Sequence, residues 1–223
     1  MASAFPQRSI DLPRGTKDHP IAFLVGALIL FALLVLPFVF LRAYSVPTGS
    51  MENTLLIGDH IFVRVLPRVN VGREDIIVFH TQINRDVITT VKRVVGVAGD
   101  HLRIAKKVLY RNGVAVREPY AVHTMDGMME VRDNFPSSGE LPRQNLVQSD
   151  AAVDMMQHHL ENGEAVVPVG KYFVLGDNRD NSLDSRFLGF VDKSDVVGKP
   201  VLIYYSIDPA RSSFRGERIF KKL

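Results

Sequence analysis

The sequence predicts a mostly β protein: an antiparallel β-sheet domain with an inserted subdomain, preceded by one transmembrane helix. Three observations carry this. Residues 21–41 form an uninterrupted apolar run, IAFLVGALILFALLVLPFVFL. Beyond it, β-branched and period-2 runs alternate with Gly, Asn and Asp turn residues. Only one later stretch, near Asp150, has helical spacing.

The apolar run is long enough for a bilayer core, which takes about 20 helical residues. Gly26 and Pro37 inside it are tolerable in a lipid-embedded helix. A cleaved signal peptide is the alternative, supported by the small residues of Ala43-Tyr44-Ser45 but disfavoured by the length of the run. Arg8, Arg14 and Lys17 precede the run, whereas only Arg42 follows it before Arg64. This bias predicts a cytoplasmic tail (1–20), a transmembrane helix (21–41) and an extracytoplasmic domain (42–223). Val196–Ile207, broken by Gly198, Lys199 and Pro200, is no second span.

Strands are expected at His60–Val65, Asp75–Thr81, Asp86–Val97, His101–Tyr110, Val114–Arg117, Lys171–Leu175 and Val201–Ser206. Asn112-Gly113 reads as a tight hairpin turn. A helix is expected from an Asp150 cap, with Val153, Met156 and Leu160 on one face and Gly163 beyond its end. Residues about 122–168 have weak strand signals and read as the inserted subdomain.

Composition removes several chemistries. The chain has 223 residues, 27 Lys+Arg against 24 Asp+Glu, and no Cys. Thiol nucleophiles, disulfides and Cys-ligated metals are therefore excluded. A net charge of +3 is weak for a nucleic-acid binder. Zincin, nucleophile-elbow, P-loop and dinucleotide-binding motifs are missing. His158-His159 is the only His pair, and neighbouring helical positions diverge.

Three segments are hard to explain as scaffold. In Val46–Leu55, Pro47 fixes the backbone and Ser50 follows Gly49, a turn able to present a hydroxyl. In Thr89–Val97, alternation puts Lys92 on one face with Thr90, Val94 and Gly96, and Arg93 on the other. One of the two cations is expected to point inward. Lys92 is the better candidate, since a buried amine can become neutral whereas guanidinium stays charged; an edge strand with two solvated charges is the alternative. The third segment, Gly176–Phe190, alternates acids and arginines. It fails as a calcium loop, because Ser182 and Leu188 stand where Gly and Glu are needed. Leu55, Leu56, Ile57, Leu188 and Phe190 read either as core or as a lip dipping into lipid. The tail residues Arg211, Arg215, Arg218, Lys221 and Lys222 read as lipid-facing or solvated.

Together these segments resemble bacterial type I signal peptidases. Pro47–Leu55 resembles the family's nucleophile motif, and Gly58–Val63 its following strand motif. Lys92–Asp100 resembles the lysine motif, and Gly176–Phe190 the long last motif. Thr48 stands where members often have Ser, and Asn53 where many have Pro. The resemblance implies Ser50 as nucleophile and Lys92 as general base. The Ser50 amide and the Thr48 hydroxyl would form the oxyanion hole, and Ser182 would hold the Lys92 amine. Arg93–Asp177 and Asp184–Arg186 would be structural pairs near the site. It further implies a monomeric, single-pass enzyme of the bacterial inner membrane, a Ser–Lys serine endopeptidase cutting secretory preproteins after small residues (Ala-x-Ala). No metal or organic cofactor is expected. A catalytically degenerate peptide-binding or scaffold protein is the alternative, with Asn53 marking lost function.

Overall fold

The computed structural model describes residues 20–65, 70–83, 86–137 and 149–223. Residues 1–19, with Arg8, Arg14 and Lys17, lie outside them. Two compact units emerge, Met1–Val39 and Phe40–Leu223.

In the first unit, helix α1 spans Pro20–Val39. Its Ile21, Phe23, Leu28 and Phe31 are exposed. Over the described residues no helix is long and apolar enough to cross a membrane. The expected helix ends two residues early, because Leu41–Ser45 is β1. An apolar pattern alone does not separate the end of a helix from the start of a strand.

The second unit is built on two antiparallel sheets. The strands are β1, β2 (Asp59–Arg64), β3 (Ile76–Ile83), β4 (Asp86–Gly96), β5 (His101–Ala105), β6 (Val108–Arg111), β7 (Val114–Ala115), β8 (Leu160–Glu161), β9 (Glu164–Val166), β10 (Lys171–Leu175), β11 (Val191–Asp192), β12 (Val196–Asp208) and β13 (Ser213–Phe214). The large sheet has the order β1-β2-β12-β3-β4-β10-β11, with β13 on β12. The small one has the order β7-β6-β5-β9-β8. Period-2 patterning explains these strands: β2 alternates buried Asp59, Ile61 and Val63 with more exposed His60, Phe62 and Arg64.

Some expectations are corrected. His101–Tyr110 is two strands, β5 and β6, folded back at Lys106-Lys107, both at positive φ. The small sheet therefore draws on residues 101–115 as well as on 160–166, within the range read as an insertion. Of the short helices α2 (Glu130–Asp133), α3 (Asp150–His158) and α4 (Ser185–Leu188), α3 is the expected one, but its cap is Ser149, whose hydroxyl accepts from the Ala152 amide. Its buried face carries Ala152 and Met155, not Val153.

Two core clusters frame the site. Val46, Met51, Leu55, Ile61, Val63, Val78 and Ile203 pack around the β1–β2 connection. Val95, Leu102, Phe135, Met155, Phe173, Leu175 and Phe190 join the small sheet to β4, β10 and α3. Leu55, Leu188 and Phe190 are thus core, and of the postulated lip Ile57 is exposed. The C-terminal arginines fold back on the domain: Arg218 grips buried Asp59 at 2.6 Å and donates to the Thr54 carbonyl.

Candidate active site

Ser50 lies in the connection between β1 and β2, which is closed at its base by Val46 N–H to Asp59 O and Gly58 N–H to Val46 O. Gly49–Met51 makes one 3₁₀ turn. Fully buried Met51 and Leu55 pin that turn to the core, so Ser50 is held by its neighbours' burial. As the second residue of the turn, its amide has no partner within it. Asn53 sits at φ 85° and donates its side-chain amide to the Tyr120 carbonyl. Proline, locked near −65°, cannot occupy this backbone.

Lys92 enters from β4, opposite Ile77 of β3. Its Nζ lies 2.8 Å from Ser50 Oγ, 3.2 Å from Thr90 Oγ1 and 3.1 Å from the Val91 carbonyl oxygen. The side chain is 3% exposed. Burial pushes the amine's pKa down from 10.5 to about 8; Asp184 and Asp177 pull it up, Arg186 pushes it further down, and burial dominates.

Thr48 lies beside the pair, its Oγ1 3.4 Å from Ser50 Oγ. Two clefts open here. One of about 280 Å³ is lined by Thr48, Ser50, Ile88, Thr90, Lys92, Leu183 and Leu188. The other, about 290 Å³, runs between Tyr44–Thr48 and Ile88–Val91.

Arg93 is also buried, on the opposite face, so β4 hides both cations rather than one. Its guanidinium makes two bonds to Asp177, at 2.8 and 2.6 Å, lies 2.8 Å from the Glu74 carbonyl, and stacks 3.9 Å from the Tyr120 ring centroid. Asp177 also accepts from Thr54, which follows the Ser50 turn.

Residues 176–190 form the floor. The Asn178 amide donates to the Ser50 carbonyl at 3.1 Å. Gly176 is required by close approach, since a Cβ there would collide with Ser182 and with the Ser50 carbonyl. Asp184 caps α4, pairs with Arg186 at 2.8 Å and accepts from the Gly176 amide. Full burial pushes its carboxyl up, but the Arg186 charge and these hydrogen bonds hold it below the usual range. Ser182 is placed differently from its expected role. Its Oγ is buried and makes no bond to the Lys92 amine, which is bonded to Thr90 and Val91 instead; the polar group beside it is the Asp184 carboxylate, whose pKa it helps to lower. Alternation had put Thr90 on the Lys92 face, but only the folded side chains reveal the bond. Among the described residues no cluster of His, Asp or Glu could hold a metal ion.

The family model for signal peptidase, peptidase S26, matches residues 20–205. The chain belongs to this family of serine endopeptidases. Within it, the relatives are type I enzymes. The chain is 33% identical to signal peptidase I of Aquifex aeolicus over 80% of its own length and 81% of the relative's. It is 29% identical to signal peptidase IB of Staphylococcus aureus over 90% and 97%. A crystal structure of a signal peptidase I from Enterococcus faecalis, 29% identical, aligns with 59% of this chain and 97% of that one, at a TM-score of 0.37.

Proposed function

We propose that the chain is a membrane-tethered peptidase that removes signal peptides from secretory preproteins with a Ser50–Lys92 dyad. The observation that carries this is the 2.8 Å contact between a buried, depressed-pKa amine and the Ser50 hydroxyl. Neutral Lys92 takes the Ser50 proton as Oγ attacks the scissile carbonyl carbon. The resulting ammonium returns a proton to the leaving amine, and Lys92 then activates the water that hydrolyses the acyl-enzyme. The Ser50 amide and Thr48 hydroxyl stabilise the oxyanion. The Arg93–Asp177 and Asp184–Arg186 pairs hold the turn and the floor rather than react.

The substrate lies extended between β1 and β4, where β4 pairs with β10 only from Arg93 onward, leaving Ile88–Val91 free for strand addition. Apolar side chains around Ser50 favour small residues before the cut. The apolar run of residues 21–41 would be the membrane anchor, with the N-terminus cytoplasmic and the catalytic domain, a monomer, outside. Purified full chain in detergent, given a peptide containing Ala-x-Ala, should cut after the second Ala, and Ser50→Ala should not. Failure of the native chain to cut would favour the scaffold alternative. Protease added to intact spheroplasts should digest the large domain; full protection of that domain would refute the topology.

A further inference from the structure

We propose that Thr90 is a positioning residue for the general base, its hydroxyl aiming the Lys92 lone pair at Ser50. The inference rests on the Ser50–Lys92 reading above. A neutral amine has two N–H donors and one lone pair. Around Lys92 Nζ the structure places three partners: Thr90 Oγ1, the Val91 carbonyl oxygen and Ser50 Oγ. The carbonyl can only accept, so it takes one N–H. If Thr90 takes the second, the lone pair is left for the Ser50 hydroxyl proton, the arrangement proton abstraction requires. Without Thr90 the amine keeps one fixed acceptor and can rotate its lone pair away from Ser50.

Thr90 is well situated for this. It is two residues before Lys92 on β4, so both side chains leave the same face of the strand. It pairs with Phe79 of β3, which fixes its backbone. Ser182, to which the family resemblance gives this task, makes no bond to the amine. The charges acting on Lys92 are Asp184, Asp177 and Arg186, all from residues 176–190. From the nucleophile turn the facing group is the Ser50 hydroxyl, and from β3 the residue in register is Ile77. Thr90 also lines both clefts beside Ser50.

The test compares full-chain Thr90→Val, Thr90→Ala and Thr90→Ser in detergent, with kcat and KM measured across the neutral and alkaline range. The hydroxyl accepts a stronger bond from ammonium than from amine, so its loss should lower the Lys92 pKa. Thr90→Val should lose about tenfold in kcat with KM changed by less than about twofold. Its ascending pH limb should move acid by about one unit. Thr90→Ser should restore the limb and the rate, and Thr90→Ala carries the test if the Val variant does not fold. A change in KM alone, an unmoved limb, or a Ser variant as poor as Val would overturn the proposal. Lys92→Met separates the two readings. If it is inactive while Thr90→Val has a native profile, only the Thr90 role fails; if it is active, the dyad itself fails.

Discussion

Lys92 and Arg93 are neighbours on β4, both cationic by type and both buried, yet their surroundings differ in kind. On the Arg93 face, a carboxylate, a carbonyl and an aromatic ring meet the guanidinium. On the Lys92 face, the amine meets neutral oxygens of Ser50, Thr90 and Val91, and its carboxylates act only at a distance. A paired buried charge is retained, whereas an unpaired one is suppressed. One strand therefore carries an ion-paired cation and the proposed base one residue apart, because alternation sends them into different environments.

The strongest way to break this comparison is to make the two residues alike. Lys92→Arg should lose roughly 10⁴-fold or more in turnover, since guanidinium cannot give up its proton. In the native enzyme the rate should climb through a limb near pH 8 and level off above it. A folded Lys92→Arg enzyme with near-native turnover of a preprotein would refute the base assignment.

Next is the reverse removal. Arg93→Met leaves Asp177 buried without its ion partner and should cost about 3–5 kcal/mol in denaturant unfolding. A loss below about 1 kcal/mol would mean the pair behaves as a surface one.

The oxyanion side is tested by Thr48→Val, which should lower kcat about 10²–10³-fold, while Thr48→Ser recovers most of it. Full kcat in the Val variant would remove Thr48 from the site.

Stability should move in opposite directions for the two cations. Lys92 has a folded pKa of about 8, below its unfolded 10.5. Its protonation then opposes folding: the cost is fully present below pH 8 and fades as pH rises to 10.5. Lys92→Met should therefore stabilise the domain at neutral pH, by on the order of 3 kcal/mol, with the gain shrinking through that window. A pH-independent difference would contradict burial as the cause.

The smallest expected effect is at Asn53, outside both faces. Asn53→Ala should cost about 1 kcal/mol, because Ala tolerates positive φ less well and loses the bond to Tyr120. Unchanged thermal unfolding would mean the turn rebuilds.

The contrast across β4 was half legible beforehand. Period 2 placed Lys92 with Thr90 and opposite Arg93, since side-chain direction in a strand is local geometry. That both cations are buried was not legible, because burial depends on what covers each face. Residues 118–124 and 176–190 come from far along the chain. Short strands such as β8, β11 and β13 were missed for the same reason: two or three residues carry no periodicity, and pairing defines them. Arg215 and Arg218, which read as part of a lipid-facing or solvated tail, lie 3.8 and 2.6 Å from buried Asp59 in the fold.

The apolar helix and the long strands were written in local pattern, where residue type and spacing suffice; Ser50 and Lys92 stood out there as candidates, and their roles as nucleophile and base are what the resemblance of the motifs implies. The Ser50 partner of the Lys92 amine, the place of Ser182 away from that amine and the Asn53 bond to Tyr120 were decided in three dimensions. The Ser50–Lys92 contact joins residues 42 positions apart and the Asn53–Tyr120 bond residues 67 apart, both at hydrogen-bond distances that spacing along one strand does not encode.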